Sequence, residues 1–162
     1  MKGAEVVDFE AGDYTNSLAA PTLALDDQLC FALYAASRAV VARYRPLLDE
    51  LGLTYPQYLV MLVLWEQGAA PIKDIGSALQ LDYGTLTPLL KRLEAAGLVR
   101  RRRLLEDERT VQVELTEDGA ALRSRAEAVP PAIGDAMGLS PQETATVKRL
   151  LRQLTANVSE QR

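Results

Sequence analysis

Apolar side chains recur every three or four residues in six stretches of this chain and alternate with polar ones in one more, at 110–115. A first helix is predicted from Asp26 or Asp27, either of which can cap it, to about Gly52. Leu29, Leu33, Ala36, Val40 and Leu47 form its apolar stripe, and Pro46 should kink it by removing a backbone hydrogen bond. A second helix opens on Thr54 and Gln57, a capping-box spacing, and runs into "YLVMLVLW", apolar on nearly every side and therefore buried. A short third helix, opened by Pro71, turns Ile72, Ile75 and Leu79 inward. The fourth has Asp82 as its N-cap and Gly97 as its stop, with Leu86, Leu89, Leu90 and Leu93 on one face.

Two strands follow, over 98–104 and 110–115, joined by "LEDER" as a hairpin; Val111, Val113 and Leu115 alternate with Thr110, Gln112 and Glu114. Thr116 then caps a fifth helix that should break at Pro130 and Pro131. A last helix starts on Ser140, with Pro141 in first position and Glu143 closing the box. Residues 1–23 lack periodicity and read as a flexible arm, leaving 24–162 as one domain. The predicted fold is mainly α with a small β-hairpin wing: a winged helix-turn-helix over about 54–116, its wing at 98–115.

The outward face of the fourth helix carries Tyr83, Thr85, Thr87, Lys91 and Arg92, and the hairpin carries Arg101 and, at its tip, Asp107 and Arg109. Threonines reach base edges or phosphates in a major groove, Lys91 and Arg92 suit phosphate, and Arg109 suits a narrow minor groove, its guanidinium held by Asp107. With the cap Asp82 these are the candidate DNA-binding residues. Net charge is −4, which by itself speaks against nucleic acid. Residues 73–109, however, hold eight basic and six acidic side chains, a local excess of two that leaves −6 elsewhere.

Histidine is absent, which removes the commonest metal ligand and the usual triad base, so no metal, cofactor or catalytic residue is expected. The longest apolar run is too short to span a bilayer and "MKGAEVVDFE" is too acidic for a signal peptide, so the expected location is the cytoplasm, away from membranes. One cysteine, Cys30, cannot form an internal disulfide. Spacing leaves it open between a small buried packing residue and a reactive thiol at a helix start, with Tyr34 one turn on.

"LTPLLKRLEAAGLVRRRRLLEDERTVQVELTEDG" resembles the recognition helix, wing and following helix of the MarR family of winged-helix regulators. LE-x-x-GL stands at Leu93 to Leu98, D-x-R at Asp107 to Arg109 and LT-x-x-G at Leu115 to Gly119. The resemblance implies a homodimer joined through helices at about 25–52 and 117–158, binding double-stranded operator DNA at pseudo-palindromic half-sites. "DQLCFALYAASR" with "YRPLLDELGLTYPQYLVMLVLWE" is similar to the organic hydroperoxide regulators of that family. That similarity implies a repressor released when an organic hydroperoxide oxidises Cys30, hydrogen-bonded by Tyr34, Tyr44 and Tyr55, and trapped by a low-molecular-weight thiol because no second cysteine is present. Tyr44 lies about 21 Å along one helix from Cys30, so with Tyr55 it is implied to act across the dimer. Two positions depart from the family pattern: Tyr83 replaces a small serine, and Asp27 replaces an asparagine and adds negative charge near Cys30. The alternatives are a regulator of this fold that answers to a small aromatic ligand, and a thiol peroxidase.

Overall fold

The structure, a computed structural model, describes residues 23–103 and 110–159. The expected arm, but for Leu23, and the hairpin tip with Asp107 and Arg109 lie outside the described residues. The chain divides into two compact units, Met1–Ala35 and Ala36–Arg162.

In the first unit Leu25–Asp27 form a 3-10 turn, and helix α1 (Leu29–Asp49) makes its opening turns. Asp26 and Asp27 are used up in that turn, whose amides Asp27 and Gln28 bond back to Ala24 and Leu25 at 3.3 and 3.0 Å. Helix α1 therefore opens at Leu29 rather than on an aspartate cap. The Gln28 carbonyl accepts from Phe31 and Ala32 at 3.0 and 3.2 Å.

In the second unit α1 runs to Asp49 with Pro46 inside it. The chain reverses at Gly52, whose φ of 68° suits a residue without Cβ, and Leu53 donates to the Leu48 carbonyl at 3.0 Å. Helix α2 (Tyr55–Gln67) is the centre of the core, with Tyr58, Val60, Met61, Leu64 and Trp65 buried. Its start is closed by the Gln57 side-chain carbonyl, which accepts from the Thr54 amide at 2.8 Å and hydroxyl at 2.9 Å. Around it pack strand β1 (Ala69–Pro71), helix α3 (Ile72–Leu79), helix α4 (Tyr83–Ala95), strand β3 (Val111–Leu115) and helix α5 (Glu117–Ala126).

Strand β2 (Val99–Arg103) pairs with β3, as the hairpin pattern predicts, but the sheet has three strands in the order β1-β3-β2. Strand β1 is the addition: three residues, too short for any alternation to show, antiparallel to β3 with Ala70 opposite Val113. Pro71 is tolerated there because β1 is an outer strand and need not donate on both sides. The prolines at 130 and 131 also act differently from expectation. They sit in the first turn of a further helix, α6 (Val129–Met137), where a missing amide costs nothing. Helix α7 (Pro141–Ser159) starts on the Ser140–Glu143 box, with the Ser140 amide donating to Glu143 at 2.7 Å. No residue of α7 is buried, and Val147, Leu150, Leu151 and Val158 lie exposed at helical spacing. No helix among the described residues is long and apolar enough to cross a membrane.

Candidate nucleic-acid interface and cysteine segment

Helices α3 and α4 meet through a three-residue turn, Gln80 to Asp82. Gln80 adopts the left-handed conformation (φ 54°, ψ 39°), and the Leu81 amide bonds the Gly76 carbonyl at 2.9 Å. The chains approach so closely that a Cβ on Gly76 would stand 3.0 Å from the Leu81 carbonyl oxygen. This tight connection sets the two helices as a helix-turn-helix.

Helix α4 buries Leu86, Leu89, Leu90 and Leu93 and leaves Tyr83, Thr85, Lys91 and Arg92 exposed, with Thr87 half-buried. Asp82 caps it: one carboxylate oxygen accepts from the Thr85 amide at 2.7 Å and the other from the Thr85 hydroxyl at 3.0 Å. The amide bond first, and then the hydroxyl, hold the Asp82 carboxyl below the usual range. Asp82 thus builds the interface from within, its charge turned to the helix start rather than to phosphate. The Thr87 hydroxyl donates to the Tyr83 carbonyl at 2.7 Å. With both hydroxyl protons engaged inside the helix, Thr85 and Thr87 retain acceptor lone pairs and methyl groups for contacts outside it. These suit the amino groups of adenine and cytosine and the thymine methyl.

The arginine run is far from four free cations. Arg101 is locked onto Glu94 of α4, its Nε and Nη2 donating to one carboxylate oxygen at 2.9 and 2.5 Å and its own amide to the other at 3.2 Å. Arg100 and Arg102 face Glu114 on β3 at 2.7 and 3.5 Å. The guanidinium of Arg101 keeps Glu94, and that of Arg100 keeps Glu114, below the ordinary carboxylate range. A charge count along the sequence misses this, because Glu114 lies beyond the basic stretch and Glu94 reaches across to the next element.

Residues outside the expected set also border this candidate face. Lys73 and Ser77 of α3 and Gln80 border an open cleft of about 770 Å³ with Tyr83, Thr110 and Val111. Lys73 contributed to the basic excess in the sequence, but only the α3–α4 turn brings it to the same cleft as Tyr83.

The four expected sensor residues divide between the two units. Cys30, the second residue of α1, is exposed, and so is Tyr34 four residues on. In the second unit Tyr44 and Tyr55 come together with ring centroids 4.7 Å apart. Tyr58, absent from the expected set, stands 5.9 Å from Tyr44. Burial first, and then the neighbouring phenols, push Tyr44 above its ordinary value.

Residues 42–125 match the family described as transcriptional regulator SarA/Rot. An organic hydroperoxide resistance transcriptional regulator of Bacillus subtilis (strain 168) is 52% identical over 126 residues, 78% of this chain and 84% of that one. A MarR mutant from Escherichia coli, solved with operator DNA, superposes with a TM-score of 0.71 at 26% identity, covering 78% of this chain and 92% of that one. The chain belongs to the MarR family, in its organic hydroperoxide regulator subgroup. Among the similar solved structures of MarR-family regulators is AbfR of Staphylococcus epidermidis. Its reduced, DNA-bound form is 40% identical to this MarR-family chain at a TM-score of 0.69, covering 83% of this chain and 94% of that one. AbfR has also been solved overoxidised on DNA and in a disulfide form. This chain's one cysteine leaves it no internal disulfide.

Proposed function

We propose that this MarR-family protein is a peroxide-sensing transcriptional repressor whose reduced dimer binds a pseudo-palindromic operator and leaves it when an organic hydroperoxide oxidises Cys30. The observation that carries this is one exposed thiol in the first turn of α1, on a chain 52% identical to an organic hydroperoxide resistance regulator. In the proposed complex α4 enters the major groove with Tyr83, Thr85, Thr87, Lys91 and Arg92, while Arg109, oriented by Asp107, reaches the adjacent minor groove. The exposed apolar face of α7 supports a dimer interface.

The chemistry is a two-electron oxidation. The Cys30 thiolate attacks the outer peroxide oxygen, the O–O bond breaks, and the alkoxide leaves and takes up a proton as the alcohol. Sulfur is left as sulfenic acid. A low-molecular-weight thiol then condenses with it, forming a mixed disulfide and releasing water, and a second equivalent of thiol restores Cys30. One oxidation per signal suffices, so no turnover is required. Tyr34 of the same subunit and Tyr44 and Tyr55 of the partner are proposed to hold the reduced sulfur. Oxidation breaks those contacts and shifts the dimer, and half-sites about 34 Å apart are no longer met together.

A duplex selected from a random library by the reduced protein serves as probe. Cumene hydroperoxide is expected to weaken wild-type binding, read by fluorescence anisotropy, by about tenfold or more and to leave Cys30→Ser unchanged. Release of Cys30→Ser by peroxide would overturn the sensor assignment. Release by a hydroxybenzoate alone would favour a ligand-responsive regulator, and sustained peroxide loss with a thiol donor would favour an enzyme.

A further inference from the structure

The position of Glu94 conflicts with its own helix. It is the second-last residue of α4, where the helix dipole disfavours a carboxylate. Its oxygens instead receive three hydrogen bonds from Arg101, the middle residue of β2. One of these comes from the Arg101 backbone. Strand β2 is an outer strand of the sheet, paired on one side with β3, and its Arg101 amide is taken up by Glu94 as by a neighbouring strand. The other two come from the guanidinium, whose Nε and Nη2 converge on the second carboxylate oxygen as charge-assisted bonds. Between the two residues the chain makes one tight reversal at Gly97 (φ 74°), with the Leu98 amide on the Leu93 carbonyl at 3.0 Å.

We infer that Glu94 is a positioning residue of the DNA interface: through Arg101 it clamps the wing to the end of α4 and sets the direction in which the wing leaves the recognition helix. Arg101 is therefore a strut rather than a phosphate contact. The inference rests on the repressor reading above, since it assigns the clamp a purpose in binding DNA with helix and wing together.

The two roles for Arg101 predict opposite signs. If Arg101 served phosphate, Glu94→Gln would free a cation and remove a negative charge beside DNA, so binding would tighten. If Glu94 is a clamp, Glu94→Gln binds the selected duplex about five- to tenfold more weakly despite its gain in charge, with the slope of log affinity against log salt unchanged. Arg101→Gln should weaken binding by a similar factor, and the double variant by no more than either alone, because one interaction is being lost. The exchanged pair, Glu94→Arg with Arg101→Glu, should recover part of the loss. Wild-type or tighter binding by Glu94→Gln, or a slope about one unit smaller in Arg101→Gln, would overturn the clamp.

A DNA-free measurement separates this from the repressor reading. In the free protein the Arg101 Nε–H proton, followed by 15N NMR, should exchange slowly with solvent and lose that protection in Glu94→Gln. Equal exchange in both proteins would refute the clamp even if DNA binds. A protected proton in a protein that selects no duplex would instead refute the repressor reading.

Discussion

A Cβ added to Gly119 would stand 1.9 Å from the Leu98 carbonyl oxygen, a distance no side chain survives. The close approach belongs to a junction in which the Trp65 indole donates to the Gly119 carbonyl at 2.8 Å and the Thr116 hydroxyl donates to the Gly97 carbonyl at 2.6 Å. Thr116 also accepts the Gly119 amide at 3.0 Å, so the start of α5, the end of α4, the base of the wing and α2 are tied at one place. This gives a physical reason for the glycine of the LT-x-x-G motif. Gly119 lies in a helix, where propensity alone makes alanine better by about 1 kcal/mol. The junction predicts the reverse: Gly119→Ala should cost roughly 1–3 kcal/mol or more in urea unfolding. A stabilised Gly119→Ala protein would show that the junction yields.

At the level of elements, α4 is set at both ends by carboxylates with different partners. Asp82 caps its start and Glu94 ties its end to the wing. Because the Asp82 carboxyl is held below its unfolded range, its contribution is fully present above the ordinary carboxylate range and is lost as pH falls through the lowered value. Asn caps as well as Asp but carries no charge. The stability advantage of wild type over Asp82→Asn, measured by thermal unfolding across pH, should therefore shrink on acidification. An advantage that grows in acid would contradict the cap. The cap also takes up the Thr85 hydroxyl proton, while the Thr87 hydroxyl proton is taken up by the Tyr83 carbonyl one turn back.

At the level of the whole molecule, an acidic protein binds DNA only if its charge is arranged, and much of the arginine run here is held by its own glutamates. Affinity then depends on placing two recognition units together, which is what the dimer supplies. No residue of helix α7 is fully buried in the second unit, yet the helix lines up Val147, Leu150, Leu151 and Val158 on one face. Leu150→Glu with Leu151→Glu should yield a monomer in analytical ultracentrifugation that binds the selected duplex far more weakly, while its core still unfolds cooperatively. A variant that remains dimeric would move the interface away from α7.

The local code was legible along the chain. Periodicity, the Thr54–Gln57 and Ser140–Glu143 boxes, the Asp82 cap and the reversals at Gly52 and Gly97 depend on neighbours three or four residues apart, and the structure shows those helices and turns. The outward face of α4 was legible for the same reason, since a helical period fixes which residues share a side. Strand β1 was not, because three residues ending in proline carry no period and become a strand only when β3 offers its edge. Nor were the turn that consumes Asp26 and Asp27, or the helix that starts at Val129 with Pro130 and Pro131 in its first turn, where competing local bonds settle the boundary. The roles of Glu94, Glu114 and Gly119 were decided by tertiary structure alone. Each acts on a residue of another element, and the sequence records a residue's charge and size but not the partner that folding places against it.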